Sequence, residues 1–165
     1  MDDEFEPRLP CLFDRLIDEN PESQEDPSHR RTASFEDYRI GVLRDLRWLM
    51  NASRHPLHAR IHQYPQAAAS VLNFGIRDIG GITISSLEED DEVLREIEET
   101  IRIFEPRIDP ESVEVKMVWE DQLGSVGKMA FEISGDLWAL PHAERITFRT
   151  EMDLEAGTCD IKAIR

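Results

Sequence analysis

The chain has 165 residues, 40% hydrophobic and 33% charged, with a formal net charge of -16. That length sustains one domain whose core needs neither disulfide nor metal. So much negative charge excludes extended phosphate contacts, so neither nucleic acid nor an anionic membrane is expected as a direct partner, and the charge serves either solubility or docking on a basic protein surface.

No apolar run approaches the roughly 20 residues that cross a bilayer, so membrane insertion is not expected. The acidic opening Met1-Asp2-Asp3-Glu4 is unlike a signal peptide. Cys11 and Cys159 form no paired motif, which fits a cytosolic protein with two incidental thiols.

Residues 1–33 read as an arm. "DENPESQEDPSHRR" carries almost no apolar side chains and two prolines, the composition of a flexible linker. Ahead of it, Leu9, Leu12, Phe13, Leu16 and Ile17 fall at i, i+3, i+4, i+7 and i+8, one apolar stripe that predicts a helix over 9–19. A helix that short is marginal in water, so it must pack on something, either its own domain or another protein.

A domain over 34–165 follows. Ser34 with Asp37 three residues on resembles a capping box and starts a helix that ends around 51–54. Tyr38, Val42, Leu46 and Leu49 form its seam, widened by Leu43 and Met50, while Arg39, Arg44 and Arg47 make other faces basic. In "HPLHARIHQYPQ", His55, His58 and His62 raise a metal reading. No Glu follows His58 and no Cys is near, so a surface loop is expected instead. "ASVLNFGIRDIGG" reads as a short helix closed by Gly75, then irregular chain.

Ser86 and Glu89 open a second long helix, with acidic residues 88–92 at the positive end of its dipole. Val93, Ile97, Ile101 and Phe104 are its buried stripe, and Pro106 stops it, leaving Glu105 and Arg107 on either side of a rigid corner. From Ser112 the period becomes two: Val113, Val115, Met117 and Trp119, then Met129, Phe131 and Ile133, then Ile146, Phe148, Thr150, Met152 and Leu154. "EAGT" turns the chain into a last short strand over 159–164. The class is α+β: an antiparallel or mixed sheet of about four strands, one face covered by two main helices. Its short last strand is expected to offer an open edge.

Catalytic chemistry is missing. The acidic residues sit in the arm, on a first helix turn or at exposed strand positions, with no paired carboxylates across a cleft. There is no phosphate loop, nucleophile elbow or metal cluster, so neither an enzyme nor a cofactor is expected.

Several segments, in order, resemble one family. These are "LPCLFDRLIDENP", "FEDYRIGVLRDLRWLMNAS", "SVLNFGIRDIGG", "IRIFEPRI" and "ITFRTEMDLEAG", spanning Leu9 to about Ile161. They are similar to the gpW/gp25-like proteins and, within them, to the TssE-type wedge proteins of type VI secretion baseplates. Where that family most often has Tyr before Gly and Arg after Asn-Thr, this chain has Phe74 and Ala52-Ser53. The resemblance implies a cytoplasmic structural part of a membrane-docked contractile machine. It implies as partners the baseplate proteins TssF, TssG and TssK and the sheath proteins TssB and TssC, whose polymerisation such a part helps to initiate. It implies that Glu105, Pro106 and Arg107 are a partner-binding motif, from which substitution of Glu105 or Arg107 is expected to spoil assembly while sparing the fold; the stripe Leu9, Leu12, Phe13, Leu16 and Ile17 is a second candidate partner-binding surface on its own periodicity. On the residues alone, Glu105 and Arg107 read first as caps of local structure, and only the resemblance turns them into a contact surface. The same fold family includes an anti-adaptor that binds a response regulator, a second reading of a different class. Some family members carry a lysozyme label, against which the missing carboxylate pair argues.

Overall fold

Ser34 starts the first long helix by a reciprocal exchange: its Oγ accepts from Asp37 N at 3.1 Å, and its own N–H donates to the Asp37 carboxylate at 3.2 Å. The computed structural model describes residues 11–17, 21–22, 34–54, 58–61, 63–78, 87–118, 127–138 and 143–164. Within them lie helices α1 (Leu12–Leu16), α2 (Phe35–Met50), α3 (His58–Ile61), α4 (Pro65–Ala68) and α5 (Leu87–Phe104). The strands are β1 (Glu114–Met117), β2 (Lys128–Leu137), β3 (Glu144–Asp153) and β4 (Thr158–Ala163). None of these helices is long and apolar enough to cross a membrane.

α2 buries Val42, Leu46, Leu49 and Met50, the expected seam, with Gly41 beside them. α5 buries Val93, Leu94, Ile97 and Ile101 along the expected stripe, plus Thr100. Its predicted cap at Ser86 lies outside the described residues, as do Trp119 and the Gly80-Gly81 pair.

Between the long helices, the loop expected around the histidines contains the short helices α3 and α4, the latter started by Pro65 in its first turn. The imidazoles of His55, His58 and His62 lie outside the described residues. The short helix expected before Gly75 is a 3-10 turn, Val71–Asn73. Gly75 then adopts φ +109°, and a Cβ there would sit 2.1 Å from the Ala52 carbonyl oxygen. This close approach lets Ser53 and Ile76 pair in parallel. Arg54 locks the crossing: it donates to Gly75 O at 3.0 Å, Glu96 at 3.1 Å and Thr100 Oγ1 at 2.6 Å.

The four strands form an antiparallel sheet in sequence order, β1-β2-β3-β4. Phe131, Ile133, Leu137, Ile146, Phe148, Met152 and Ile161 face the helices and are buried. Glu132, Asp136, Arg145, Arg149 and Lys162 alternate with them on the other face. The α+β architecture is therefore as expected, and every strand pair is antiparallel.

The two sheet edges differ. Ile164 N donates to Thr147 O, so residues 158, 160 and 162 also face β3, while 159, 161 and 163 face outward. Asn51 closes the first outward position completely, accepting from Cys159 N at 3.0 Å and donating to Cys159 O at 2.9 Å. Arg47 donates to Ile161 O at 2.7 Å. Side chains of α2 thus cap the first half of the last strand's outward edge, while Ile161 N and the backbone of Ala163 take no hydrogen bond among the described residues. On the opposite edge, Val118 N donates to Ala130 O, which turns the backbone of Val115 and Met117 outward. No hydrogen bond among the described residues takes those groups.

The chain after α5 also joins β2, through an antiparallel bridge between Ile108 and Leu137. Ile108 is 1% exposed and packs over Gly135, where a Cβ would meet its Cγ2 at 2.5 Å. Gly135→Ala is expected to destabilise the fold by about 1–3 kcal/mol through overpacking, seen as an earlier urea midpoint with unchanged slope. An unchanged midpoint would mean that Ile108 can move aside freely.

Candidate functional site

The corner at residues 105–107 is built from three sides. Glu105 N still donates to Ile101 O at 2.9 Å, so the residue stays in register with α5 while Pro106 ends the helix. Beyond it, Ile108 N donates to Glu105 O at 3.2 Å, Trp138 N to Arg107 O at 2.9 Å, and Asp109 N to Asp136 O at 2.9 Å. The turn is therefore clamped to α5 on one side and to the end of β2 on the other.

The two charges turn inward. Glu105 is 3% exposed. Its Oε1 accepts from Arg107 Nε at 2.7 Å and Arg107 N at 3.2 Å, and its Oε2 accepts from Nη2 at 2.6 Å. That is a bidentate fork closed across a proline turn. Arg107 Nη2 also donates to Asp45 on α2 at 2.6 Å, and the guanidinium lies 5.9 Å from the Tyr38 ring centroid. Burial opposes the charge on Arg107, but the bonds and fields of Glu105 and Asp45 outweigh it and raise its pKa above the ordinary range.

The pattern continues along α2. Arg44 Nε donates to the other oxygen of Asp45 at 2.8 Å, and Arg44 Nη1 pairs with Asp14 of α1. Carboxylates and guanidiniums thus alternate: Glu105, Arg107, Asp45, Arg44, Asp14. Burial alone would raise the Asp14 pKa. The bonds from Arg44 and Cys11, with the fields of Arg44 and Arg107, prevail and hold it below its usual value.

α1 is the helix expected in the arm, shorter than predicted, and it lies against the chain's own α2. Phe13 meets Trp48 edge to face at 5.4 Å, and the Arg44 guanidinium lies over both rings. Leu12, Leu16 and Ile17 remain 69%, 73% and 47% exposed, and Leu9 lies outside the described residues. The described part of the predicted stripe is therefore split: one face of the half-exposed Phe13 packs on Trp48 in cis, while Leu12, Leu16 and Ile17 are exposed.

Asp14, Arg44, Asp45 and Trp48 were not singled out as site residues from the sequence. A signal existed: Tyr38, Gly41, Asp45 and Trp48 repeat at helical spacing on a second face of α2. Among the described residues there is no cluster of three or more His, Cys, Asp or Glu side chains that could hold a metal.

Residues 36–142 match the family described as baseplate wedge protein gp25. The chain belongs to this family. The match covers more than half of the 165 residues and takes in α2, the corner, β1 and β2, whereas α1, β3 and β4 lie outside it. No curated protein and no solved structure matches the chain. Membership assigns a structural role in a baseplate.

The inward pairing bears on what the corner does. Removing Arg107 would strand a nearly buried carboxylate, so the substitution cannot be silent for the fold. Arg107→Ala is expected to cost about 3–5 kcal/mol of stability, with little recovered by Arg107→Lys, which lacks the planar fork. Equilibrium unfolding of the two variants measures this. The double variant Glu105→Met with Arg107→Met should lose less than Arg107→Ala alone. A wild-type midpoint for Arg107→Ala would show that the pair does not hold the corner.

Proposed function

We propose that the chain is the TssE-type wedge component of a type VI secretion baseplate. In this reading it acts in the bacterial cytoplasm, within a membrane-docked baseplate. It joins the wedge core of TssF, TssG and TssK to the sheath proteins TssB and TssC and helps their polymerisation begin. It is a binding platform and not a hydrolase.

The observation that carries this reading is the asymmetry of the sheet. α2 caps part of the β4 edge with Asn51 and Arg47, at Cys159 and the Ile161 carbonyl, whereas β1 turns the backbone of Val115 and Met117 outward with no such cap among the described residues. A strand from a sheath subunit that pairs there would gain main-chain bonds at a single defined edge. On the other side of the molecule's business, Leu12, Leu16 and Ile17 present apolar surface to the wedge core. The corner contributes what stays outside, the exposed Pro106 and the accessible fraction of Arg107, 16% of its side chain. Its deeper task is to hold α5, α2 and β2 in one geometry.

The two contacts are separable. Met117→Pro removes an outward N–H from an edge strand, where proline is tolerated. The variant should fold and still capture TssF, TssG and TssK in a pull-down, yet start few sheaths. Leu16→Asp, at an exposed position, should do the reverse and weaken wedge capture by roughly tenfold or more. Failure of the wild-type chain to capture any wedge or sheath protein would reject the reading. Normal sheath initiation by folded Met117→Pro would reject the edge.

A further inference from the structure

Without α1, one face of α2 would present Gly41, Arg44 and Trp48 beside the Nη1 edge of Arg107. We propose that this surface is a recognition site for an acidic, aromatic-bearing helical turn of a partner protein, and that α1 is the chain's own copy of that ligand. The inference stands on this surface alone and does not depend on the baseplate reading.

The seated arm shows what chemistry the surface takes. Asp14 pairs with Arg44, and its Oδ2 also accepts from Cys11 Sγ at 2.9 Å. A Cβ on Gly41 would touch Asp14 Oδ2 at 3.4 Å and Arg107 Nη1 at 3.6 Å. The glycine thus leaves a slot in which one carboxylate approaches two guanidiniums. Arg107 donates through Nε and Nη2 to Glu105 and Asp45, so Nη1 is the edge nearest this slot. Beside it, Trp48 is half-exposed and receives Phe13 edge to face at 5.4 Å. Carboxylate and ring, adjacent in one turn, are the two features read.

The ligand is detachable. α1 has five residues and buries none of them. An ion pair, weak sulfur bonds and ring contacts hold it, which places its opening at the low-free-energy end of the molecule's fluctuations. Sixteen residues, 18–33, separate α1 from α2 in the sequence, a contour length of about 50 Å.

The tether also selects the competitor. An arm held on its own chain has a local concentration in the millimolar range, which the identical arm of a second copy cannot match in dilute solution. Only a different protein that adds contacts of its own can displace it, and release would free the packed face of Phe13 and the Asp14 carboxylate.

The test uses the full-length chain and a dye-labelled peptide of residues 9–19 with Cys11→Ser. Burial pushes the Cys159 thiol up to about 12, so alkylation near neutral pH reports on Cys11 alone. Asp14→Ala in the full chain should speed Cys11 alkylation and bind the peptide about tenfold more tightly than the wild-type chain, whose site is filled. Peptides that also carry Asp14→Asn or Phe13→Ala should lose about tenfold in affinity for that same chain. These substitutions lie in the arm or the peptide, so the domain stays intact. Equal binding of all three peptides, no binding to the Asp14→Ala chain, or an unchanged alkylation rate would overturn the proposal. Self-association of the wild-type chain in the ultracentrifuge at micromolar concentration would assign the site to a second copy and overturn it too.

Discussion

A carboxylate placed at 3% exposure at the end of a helix must be neutralised where it stands, because an unpaired charge there would cost several kcal/mol. Glu105 sits at such a point, and the architecture around it is organised to satisfy it. Pro106 bends the chain back at once, so the fork of Arg107 reaches the carboxylate two residues away. The Arg107 carbonyl is then taken by Trp138 N and the Asp109 N–H by Asp136 O, which registers the corner on β2. The same Nη2 that serves Glu105 also donates to Asp45, so α2 is positioned by the same group. One ion pair thereby fixes the relation of two helices and a sheet.

The sheet inherits its asymmetry from that arrangement. α2 crosses β4 with Asn51 and Arg47 on the facing side, and an amide side chain can satisfy both the N–H and the C=O of one edge residue. Capping part of the β4 edge makes it less ready to recruit stray strands, while β1 keeps the backbone groups of Val115 and Met117 open to an added strand. The charged outer face of the sheet, with Glu132, Arg149 and Lys162, keeps the other broad surface wet.

How much of this was legible in the sequence depended on range. The seam Val42, Leu46, Leu49 and the alternation Met129, Phe131, Ile133 are short-range periodicities, and both are buried as read. The stop at Pro106 is equally local. The destination of Arg107 was not legible, because half of it lies 62 residues away at Asp45. The capping of β4 rests on bonds spanning 108 and 114 residues, for which no pattern along the chain gives a sign. The close fit of Ile108 over Gly135 likewise joins residues 27 apart in the chain, with no local pattern to announce it. The arm was legible as a stripe, but the contact of Phe13 with Trp48 and Arg44, which Leu12 and Leu16 do not share, depends on side chains that only the packed structure brings close.

The charge network also bears on how the corner and the proposed exchange of α1 can share side chains. With α1 seated, three carboxylates (Asp14, Asp45, Glu105) face two guanidiniums, those of Arg44 and Arg107. With α1 gone, two face two. Glu105, the most buried member, keeps its bidentate partner in either state, and Asp45 keeps bonds to both arginines. The group that changes its surroundings is Arg44, whose side chain is 28% exposed and can be rehydrated at modest cost. Arginine suits both places because its planar fork holds several acceptors at once and remains charged under all physiological conditions. The deep pair carries the fold and the shallow pair carries the exchange, so occupancy of the surface site can vary without loosening the corner beneath it.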